Sequence, residues 1–202
     1  MDDDDARPDD ARPDDTRHGS PNPGEPTEFG LADAEHAEQI QEFWELARIR
    51  TGLTRTAVVT GMSAEATVPP PAWAFGDNPQ LADQLLELVL AETKTATSSA
   101  LAELARDGEA VPQRGDLSIL LDGSGRPRAL IRTTSVVVLP FGEVTEDQAR
   151  AEGEGDRSLS SWRREHERYF RRVLDGTGTD FSDDLPVAFE QFELLYPRAS
   201  DR

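Results

Sequence analysis

Apolar side chains recur at intervals of three and four residues in two segments before the middle of the chain. This spacing is the period of an α-helix with one apolar face, and it predicts helices over residues 34–51 and 81–92. The positions that carry the pattern are Ile40, Phe43, Leu46, Ala47, Leu81, Leu85, Leu88 and Val89. Asp77 or Asn78 is suited to cap the second helix, and Pro79 fits its first turn. Between the helices, residues 52–72 read as a loop, since the proline run at 69–71 excludes helix there.

The spacing of apolar residues changes from helical to β-type after a third predicted helix, residues 98–108, which ends at Gly108. Two β-type segments, LSILL and RALIRTTSVVVLP, flank the turn sequence DGSG and predict a hairpin. Residues 144–156 then predict a short helix that ends in a glycine-broken loop, residues 156–174 a longer helix, and LPVAFEQFELLYP a final strand. This order predicts an α+β domain built around a small, mostly antiparallel sheet or barrel.

The first 28 residues lack the apolar positions that a folded core needs. They repeat DDARP and hold ten acids and three arginines. A segment of this composition buries too little surface to offset the entropy of ordering, so we expect a disordered acidic tail over residues 1–30 and a domain over residues 34–197. The tail has neither the basic start nor the apolar run of a signal peptide. It is typical of a solubilising tail, with a decoy that competes with nucleic acid for a basic groove as the alternative.

Composition narrows the function classes. The formal net charge of −19 argues against a protein that coats nucleic acid non-specifically, so any contact with nucleic acid must be local. The chain has no cysteine, and its three histidines are far apart, so we expect neither a thiol nucleophile nor a bound metal, and no cofactor. No apolar run is long enough to span a membrane, which predicts a soluble, cytoplasmic protein.

A single lysine, Lys94, stands among 20 arginines. An arginine stays protonated and cannot serve as a titrating base, whereas a desolvated lysine can act as a base or orient an anion. In a helical turn Thr97 would share its face and could supply a nucleophilic hydroxyl. The alternative is a surface lysine near a helix C-terminus, where the helix dipole favours a cation.

An acidic loop, ARAEGEGDRS, follows the short fourth helix. Glu152, Glu154 and Asp156 alternate with glycines, which allow the backbone to approach a ligand closely. A carboxylate here is a candidate general acid or base. The alternative is a solvated loop that caps the next helix through Asp156 or Ser158.

The helix after this loop is locally basic. Residues 157–172 hold six arginines and two glutamates, with Trp162, Tyr169 and Phe170 between them. Such a face suits phosphate contacts and base stacking. The alternative is a helix whose arginines pair with the surplus acids of the protein. Trp44 likewise suits a core or lid position, or base stacking.

From about Phe43 to Tyr196 the chain resembles ASCH-domain proteins. The resemblance rests on the segments FWELARIRTGL, WAFGD, TKTATSS and AEGEGDRSLSSWRREHERYF. Glu92 stands where the family's G-x-K-x-x-T type motif has glycine, but Lys94 and Thr97 keep their register. The resemblance implies a PUA-like fold, a small β-barrel with flanking helices and a cleft that faces this motif.

The resemblance also implies a function. ASCH proteins are proposed to bind RNA, some relatives hydrolyse N(4)-acetylcytidine with a Lys, Thr and Glu set, and others are ribonucleases. The set falls on Lys94, Thr97 and Glu154, with Glu152 as the alternative carboxylate.

We therefore expect an amidohydrolase that acts on a modified nucleoside. The expected substrate contacts are Trp73, Phe75, Asp77, Trp162 and Arg163. A non-catalytic module that binds single-stranded RNA, and a metal-independent ribonuclease, are the alternatives.

Overall fold

The computed structural model describes residues 28–53 and 68–198. The acidic tail predicted as disordered lies outside these residues, except at its end, where Glu28 begins the first helix. Residues 54–67 of the predicted loop also lie outside them. Within the described residues, no helix has the length and apolar character that a membrane span requires.

Helices and strands follow in a mixed order along the chain. The helices are α1 (Glu28–Arg50), α2 (Pro79–Leu90), α3 (Leu101–Asp107), α4 (Glu146–Glu152) and α5 (Leu159–Val173). The strands are β1 (Ala72–Trp73), β2 (Ala96–Ala100), β3 (Leu117–Leu121), β4 (Pro127–Pro140) and β5 (Pro186–Tyr196). The predicted α+β class is confirmed, and so are the β3–β4 hairpin and the final strand.

The strands form one mixed sheet in the order β1-β3-β4-β5-β2. All neighbours pair antiparallel except β1 and β3, which are parallel. In the described residues β1 and β2 are the two edges, so the closed barrel that the resemblance implied is not seen. The long central strand β4 shifts register against β5 at Thr133, which bends the sheet.

Helices pack on the sheet through three apolar clusters. Residues of α2 bury their apolar face with Phe75 and Phe192. Residues of α5 pack with Phe141 and Val187. Trp44 and Ala47 of α1 pack with Ile119, Leu130 and Leu195. The predicted apolar faces are therefore core faces, except that Leu46 of α1 is exposed. Trp44 takes the core position that was one of its two interpretations.

One prediction was wrong where it matters for function. The sequence placed Ser98–Ala100 in a helix, but residues 96–100 form the edge strand β2, which pairs with β5 over its whole length. The pairing satisfies the backbone groups of β2, and this tertiary contact outweighs the local helix preference of Ala96 and Ala100. Lys94 and Thr97 therefore do not share a helical face. Residues 72–73, predicted as loop, form the short strand β1.

Gly153 fixes how closely the loop after α4 approaches the segment before β2. Its φ of +75° is left-handed, and a Cβ there would lie 2.5 Å from the carbonyl oxygen of Thr93. The backbone N–H of Thr95 donates to the carbonyl of Ala151 at 2.8 Å in the same contact. This approach brings the acidic loop beside Lys94.

Replacing Gly153 with alanine should therefore cost far more than the loss of a left-handed glycine alone. Gly108 is a matched control, because its φ is +71° and a Cβ there meets nothing within 4 Å. We expect Gly108→Ala to lower the free energy of unfolding by about 1–2 kcal/mol. Gly153→Ala should lower it by about 1–3 kcal/mol more, from overpacking. Urea denaturation of both variants measures this, and equal losses would show that the close approach does not matter.

Candidate functional site

A large open cleft of about 1670 Å³ lies beside β2 and α5. Its volume exceeds the roughly 300–1,000 Å³ of a usual small-molecule pocket. Trp73, Phe75, Thr97, Glu152 and Glu154 line it. The cleft therefore combines apolar and aromatic surface with carboxylates and a hydroxyl.

The turn between α2 and β2 directs Lys94 inward. The backbone N–H groups of Thr93 and Lys94 both donate to the carbonyl of Leu88, at 2.9 and 3.0 Å. Glu92 makes this possible with a φ of 55°, in the left-handed region. Glycine adopts that conformation without the cost that a side chain adds, which explains why the family motif has glycine at this position.

The Lys94 side chain is 1% exposed, and two carboxylates compensate its charge. Its Nζ donates to Glu154 Oε1 at 2.6 Å and lies 3.4 Å from Glu152 Oε2. The Phe75 ring centroid lies 5.2 Å from Nζ and adds a cation–π contact. The interpretation of Lys94 as a surface lysine is therefore wrong, since the group is a buried, ion-paired ammonium.

Glu152 is the centre of the polar network. Its Oε1 accepts hydrogen bonds from Ser98 Oγ at 2.6 Å and from Trp162 Nε1 at 2.8 Å. Burial alone would raise the pKa of this carboxyl, but the charges of His166 and Lys94 outweigh burial and lower the pKa to about 2. Glu152 therefore stays ionised although it is only 1% exposed.

The geometry around His166 is that of an imidazolium. Nδ1 lies 3.1 Å from the carbonyl oxygen of Trp162, and Nε2 lies 3.2 Å from Glu152 Oε2. Both oxygens accept only, so both ring nitrogens must donate. Burial opposes this charge, but the charge and hydrogen bond of Glu152 raise the pKa of His166. The ring also stacks on Trp162, with centroids 4.2 Å apart.

The two candidate carboxylates have different environments. Glu152 is enclosed by its donors, whereas the Glu154 side chain is 26% exposed. Both line the cleft, but the more exposed Glu154 is the one placed to exchange protons with a ligand there. This division suits the assignment of Glu154 rather than Glu152 to the Lys, Thr and Glu set.

Glu152, Glu154 and His166 each offer one donor atom, and these atoms lie within 4.8 Å of one another. Such a group could hold a metal ion. The Lys94 ammonium already lies within hydrogen-bond distance of both carboxylates and supplies the positive charge there.

Thr97 lies on β2 and lines the same cleft. Within the described part of the chain, its hydroxyl makes no hydrogen bond, so the structure does not join it to Lys94 or Glu154. It pairs across the sheet with Glu190 of β5. Trp73 and Phe75, two predicted substrate contacts, line the cleft and meet edge to face at 4.8 Å.

Three other predicted substrate contacts lie elsewhere, and the described lining of the cleft contains none of them. Asp77 is ion-paired with Arg172 at 2.8 Å, and the hydrogen bond and charge of Arg172 lower its pKa. Trp162 is buried and gives its N–H to Glu152, so it holds the carboxylate and offers no free face for stacking. Arg163 donates to the Gly142 carbonyl at 2.8 Å.

Four arginines of α5 pair with acidic side chains, as the second of the two interpretations of this helix predicted. Arg164 and Arg168 pair with Glu165, Arg171 pairs with Glu167, and Arg172 pairs with Asp77. These exposed pairs reduce the positive field that the helix presents to a polyanion.

Sequence reasoning missed Ser98, His166 and Glu190. Trp162 and His166 lie four residues apart on one helix, which is a visible signal that their side chains meet. No spacing connects them to Glu152, because that contact depends on how α4 and α5 pack. Glu190 sits in an apolar strand, and only the sheet register shows that it faces the cleft.

A sequence model of the ASCH domain matches residues 71–196. The chain belongs to the ASCH-domain family. None of the curated proteins matches it.

Two solved structures are similar to this chain over most of their own length. Protein EF3133 from Enterococcus faecalis V583 is 30% identical, with a TM-score of 0.63, over 79% of this chain and 91% of that protein. An ASCH domain from Lactobacillus crispatus JV V101 is 29% identical, with a TM-score of 0.60, over 73% of this chain and 95% of that one.

The ionised Glu152 should make stability depend on pH on the acid side. Its folded pKa of about 2 is depressed, so its contribution is present above the unfolded value near 4.5 and is lost as the pH falls towards 2. Glu152→Gln should lower the free energy of unfolding at pH 7 by about 3 kcal/mol, because it leaves buried cations under-compensated. The deficit should shrink below pH 4.5.

Urea denaturation from pH 3 to 7 measures this difference. Glu146→Gln is the control, since Glu146 is an exposed carboxylate in the first turn of the same helix. A deficit of Glu152→Gln that is constant with pH would show that the carboxylate contributes by shape rather than by charge.

Proposed function

We propose that this ASCH-domain protein is an amidohydrolase that removes the acyl group from an N(4)-acylated cytidine, with N(4)-acetylcytidine as the leading substrate. The observation that carries the proposal is the buried ammonium of Lys94, 2.6 Å from Glu154, in the wall of the cleft that Glu154 and Thr97 both line. A fixed cation suits a developing oxyanion, and a partly exposed carboxylate suits proton transfer.

In the first step, the Thr97 hydroxyl or a water molecule adds to the acyl carbon. Its proton passes to Glu154, and the carbonyl oxygen becomes an oxyanion that the Lys94 ammonium stabilises. The C–N bond then breaks, and Glu154 returns the proton to the leaving nitrogen, which becomes the amino group of cytidine. Lys94 acts here as a cation that is ion-paired with two carboxylates.

When Thr97 is the nucleophile, the acetyl group remains on its oxygen as an ester. A water molecule then adds to that ester carbon and gives its proton to Glu154. Acetate leaves, and the Thr97 oxygen takes the proton back. The balance over both steps is N-acyl nucleoside plus water to nucleoside plus carboxylic acid.

Charge favours a nucleoside over an RNA strand as the ligand. Of the described residues that line the cleft, eight are acids, against three arginines and His166. A polyanion would be repelled by such a lining, whereas a neutral nucleoside is not. The RNA-binding and ribonuclease alternatives have the weaker support, because the arginines of α5 pair with acids.

Lys94→Arg should abolish hydrolysis of N(4)-acetylcytidine while the fold survives. A guanidinium is larger and forked, and it cannot occupy a site built for one buried ammonium without moving Glu152 and Glu154. We expect at least about a 100-fold loss of kcat/KM, the size of one lost oxyanion donor. Chromatography of cytidine formation measures activity, and circular dichroism checks the fold.

Thr97→Ala separates attack by the hydroxyl from attack by water. Ser99→Ala is the matched control, since Ser99 also lies on β2 and lines the cleft. We expect about a 100-fold or larger loss for Thr97→Ala and less than a threefold change for Ser99→Ala. Full activity of Thr97→Ala would assign the attack to water. No cytidine from the folded wild-type protein would reject the amidohydrolase proposal.

A further inference from the structure

Glu190 is a second buried carboxyl group in the cleft, apart from the Lys94 network. It is 7% exposed, and its Oε1 accepts a hydrogen bond from Thr133 Oγ1 at 2.5 Å. Within the described residues no cation pairs with it, and its Oε2 has no partner. That oxygen is not fully enclosed, and Glu190 lines the cleft.

Glu190 lies close to Thr97, which belongs to the proposed reacting centre. The two residues are directly opposite in the antiparallel β2–β5 ladder, so their side chains project from the same face. Directly opposed Cβ atoms lie about 5 Å apart. An acyl carbon at the Thr97 hydroxyl would therefore put its amide nitrogen, and the ring atom beyond it, within reach of the Glu190 carboxyl.

The surroundings of Glu190 favour its neutral form. Burial raises its pKa, the Thr133 hydrogen bond lowers it, and the negative charge of Asp116 raises it further. The residues opposite Glu190 on β2 and β4, Thr97 and Val136, are uncharged, and so is its hydrogen-bond partner Thr133. A neutral carboxyl has one O–H donor and a carbonyl acceptor side by side.

We propose that Glu190 is the residue that determines specificity in the proposed reaction, by binding the N–H of the acylated amine and the neighbouring ring nitrogen of the pyrimidine. This inference rests on the proposed function. The carboxyl O–H donates to the ring nitrogen, and a carboxyl oxygen accepts the amide N–H. Two hydrogen bonds at fixed spacing distinguish an acylated aminopyrimidine from an ordinary amide, because a ligand without the ring nitrogen leaves a buried donor unpaired.

The test uses binding, which does not depend on turnover. Cytidine presents the same N–H and ring nitrogen, and 3-deazacytidine replaces that nitrogen with C–H. Calorimetric titration of the wild-type protein should show about tenfold tighter binding of cytidine. Glu190→Ala should bind both equally. Glu190→Gln should keep the preference, because its amide offers the same donor and acceptor.

Glu193→Gln is the matched control on the same strand, since Glu193 is exposed and paired with Arg132. It should behave as the wild type does. Raising the pH through the pKa of Glu190 should remove the preference of the wild type and leave that of Glu190→Gln unchanged. A purely structural role for Glu190 would not make the preference of the wild type depend on pH while that of Glu190→Gln does not. Thermal melts identify any variant that fails to fold.

Hydrolysis of N(4)-acetylcytidine by the same samples separates the two proposals. A binding preference without turnover supports the Glu190 site and rejects the amidohydrolase. Turnover without a preference supports the amidohydrolase and rejects the Glu190 site. Equal binding of the two nucleosides by the wild type, or no binding of either, overturns the inference about Glu190.

Discussion

The charge of one buried ammonium governs the arrangement of this molecule. Lys94 is 1% exposed, and an uncompensated charge at that depth would cost several kcal/mol. Its compensation requires α4 and the loop after it to lie against the segment before β2, which Gly153 permits and the Thr95–Ala151 hydrogen bond holds. The fold around the cleft therefore depends on the positions that Glu152 and Glu154 must take to compensate the charge of Lys94.

The network around Lys94 balances its charges in pairs. Lys94 and His166 are cationic, Glu152 and Glu154 are anionic, and Glu152 contacts both cations. Ser98 and Trp162 use the remaining acceptor capacity of Glu152. Such a network orders its members strongly, because losing any one leaves a buried group unpaired. It also accounts for the single lysine, since the site accommodates a compact point charge and not a planar fork.

Local pattern predicted the parts of this protein whose structure is decided locally. Lys94 stands out by composition, as the single lysine, whereas the helices with apolar faces, the DGSG hairpin and the Asn78 cap all follow from short spacings. The β2 strand does not, because its conformation is set by pairing with β5, about 90 residues away in the chain. The same holds for His166 and Glu190, whose neighbours are brought to them by helix packing and sheet register. Trp162 was predicted to contact a substrate, and in the structure it donates its N–H to Glu152; spacing alone cannot tell these two roles apart.

The cleft that Thr97 lines also contains two carboxyl groups in different electrostatic surroundings, Glu154 and Glu190. Glu154 is ion-paired with Lys94, whose charge suits a developing negative charge. Across the sheet from Thr97 lies Glu190, a carboxyl whose pKa is raised by its burial and by the charge of Asp116. An enzyme that cleaves an amide on a heteroaromatic ring needs both, because the carbonyl oxygen gains charge while the ring edge stays neutral. The acidic lining adds a further constraint, since it disfavours phosphate at the mouth without affecting a neutral ligand. Under the proposed function, these features would select a free nucleoside by charge before any contact with its base.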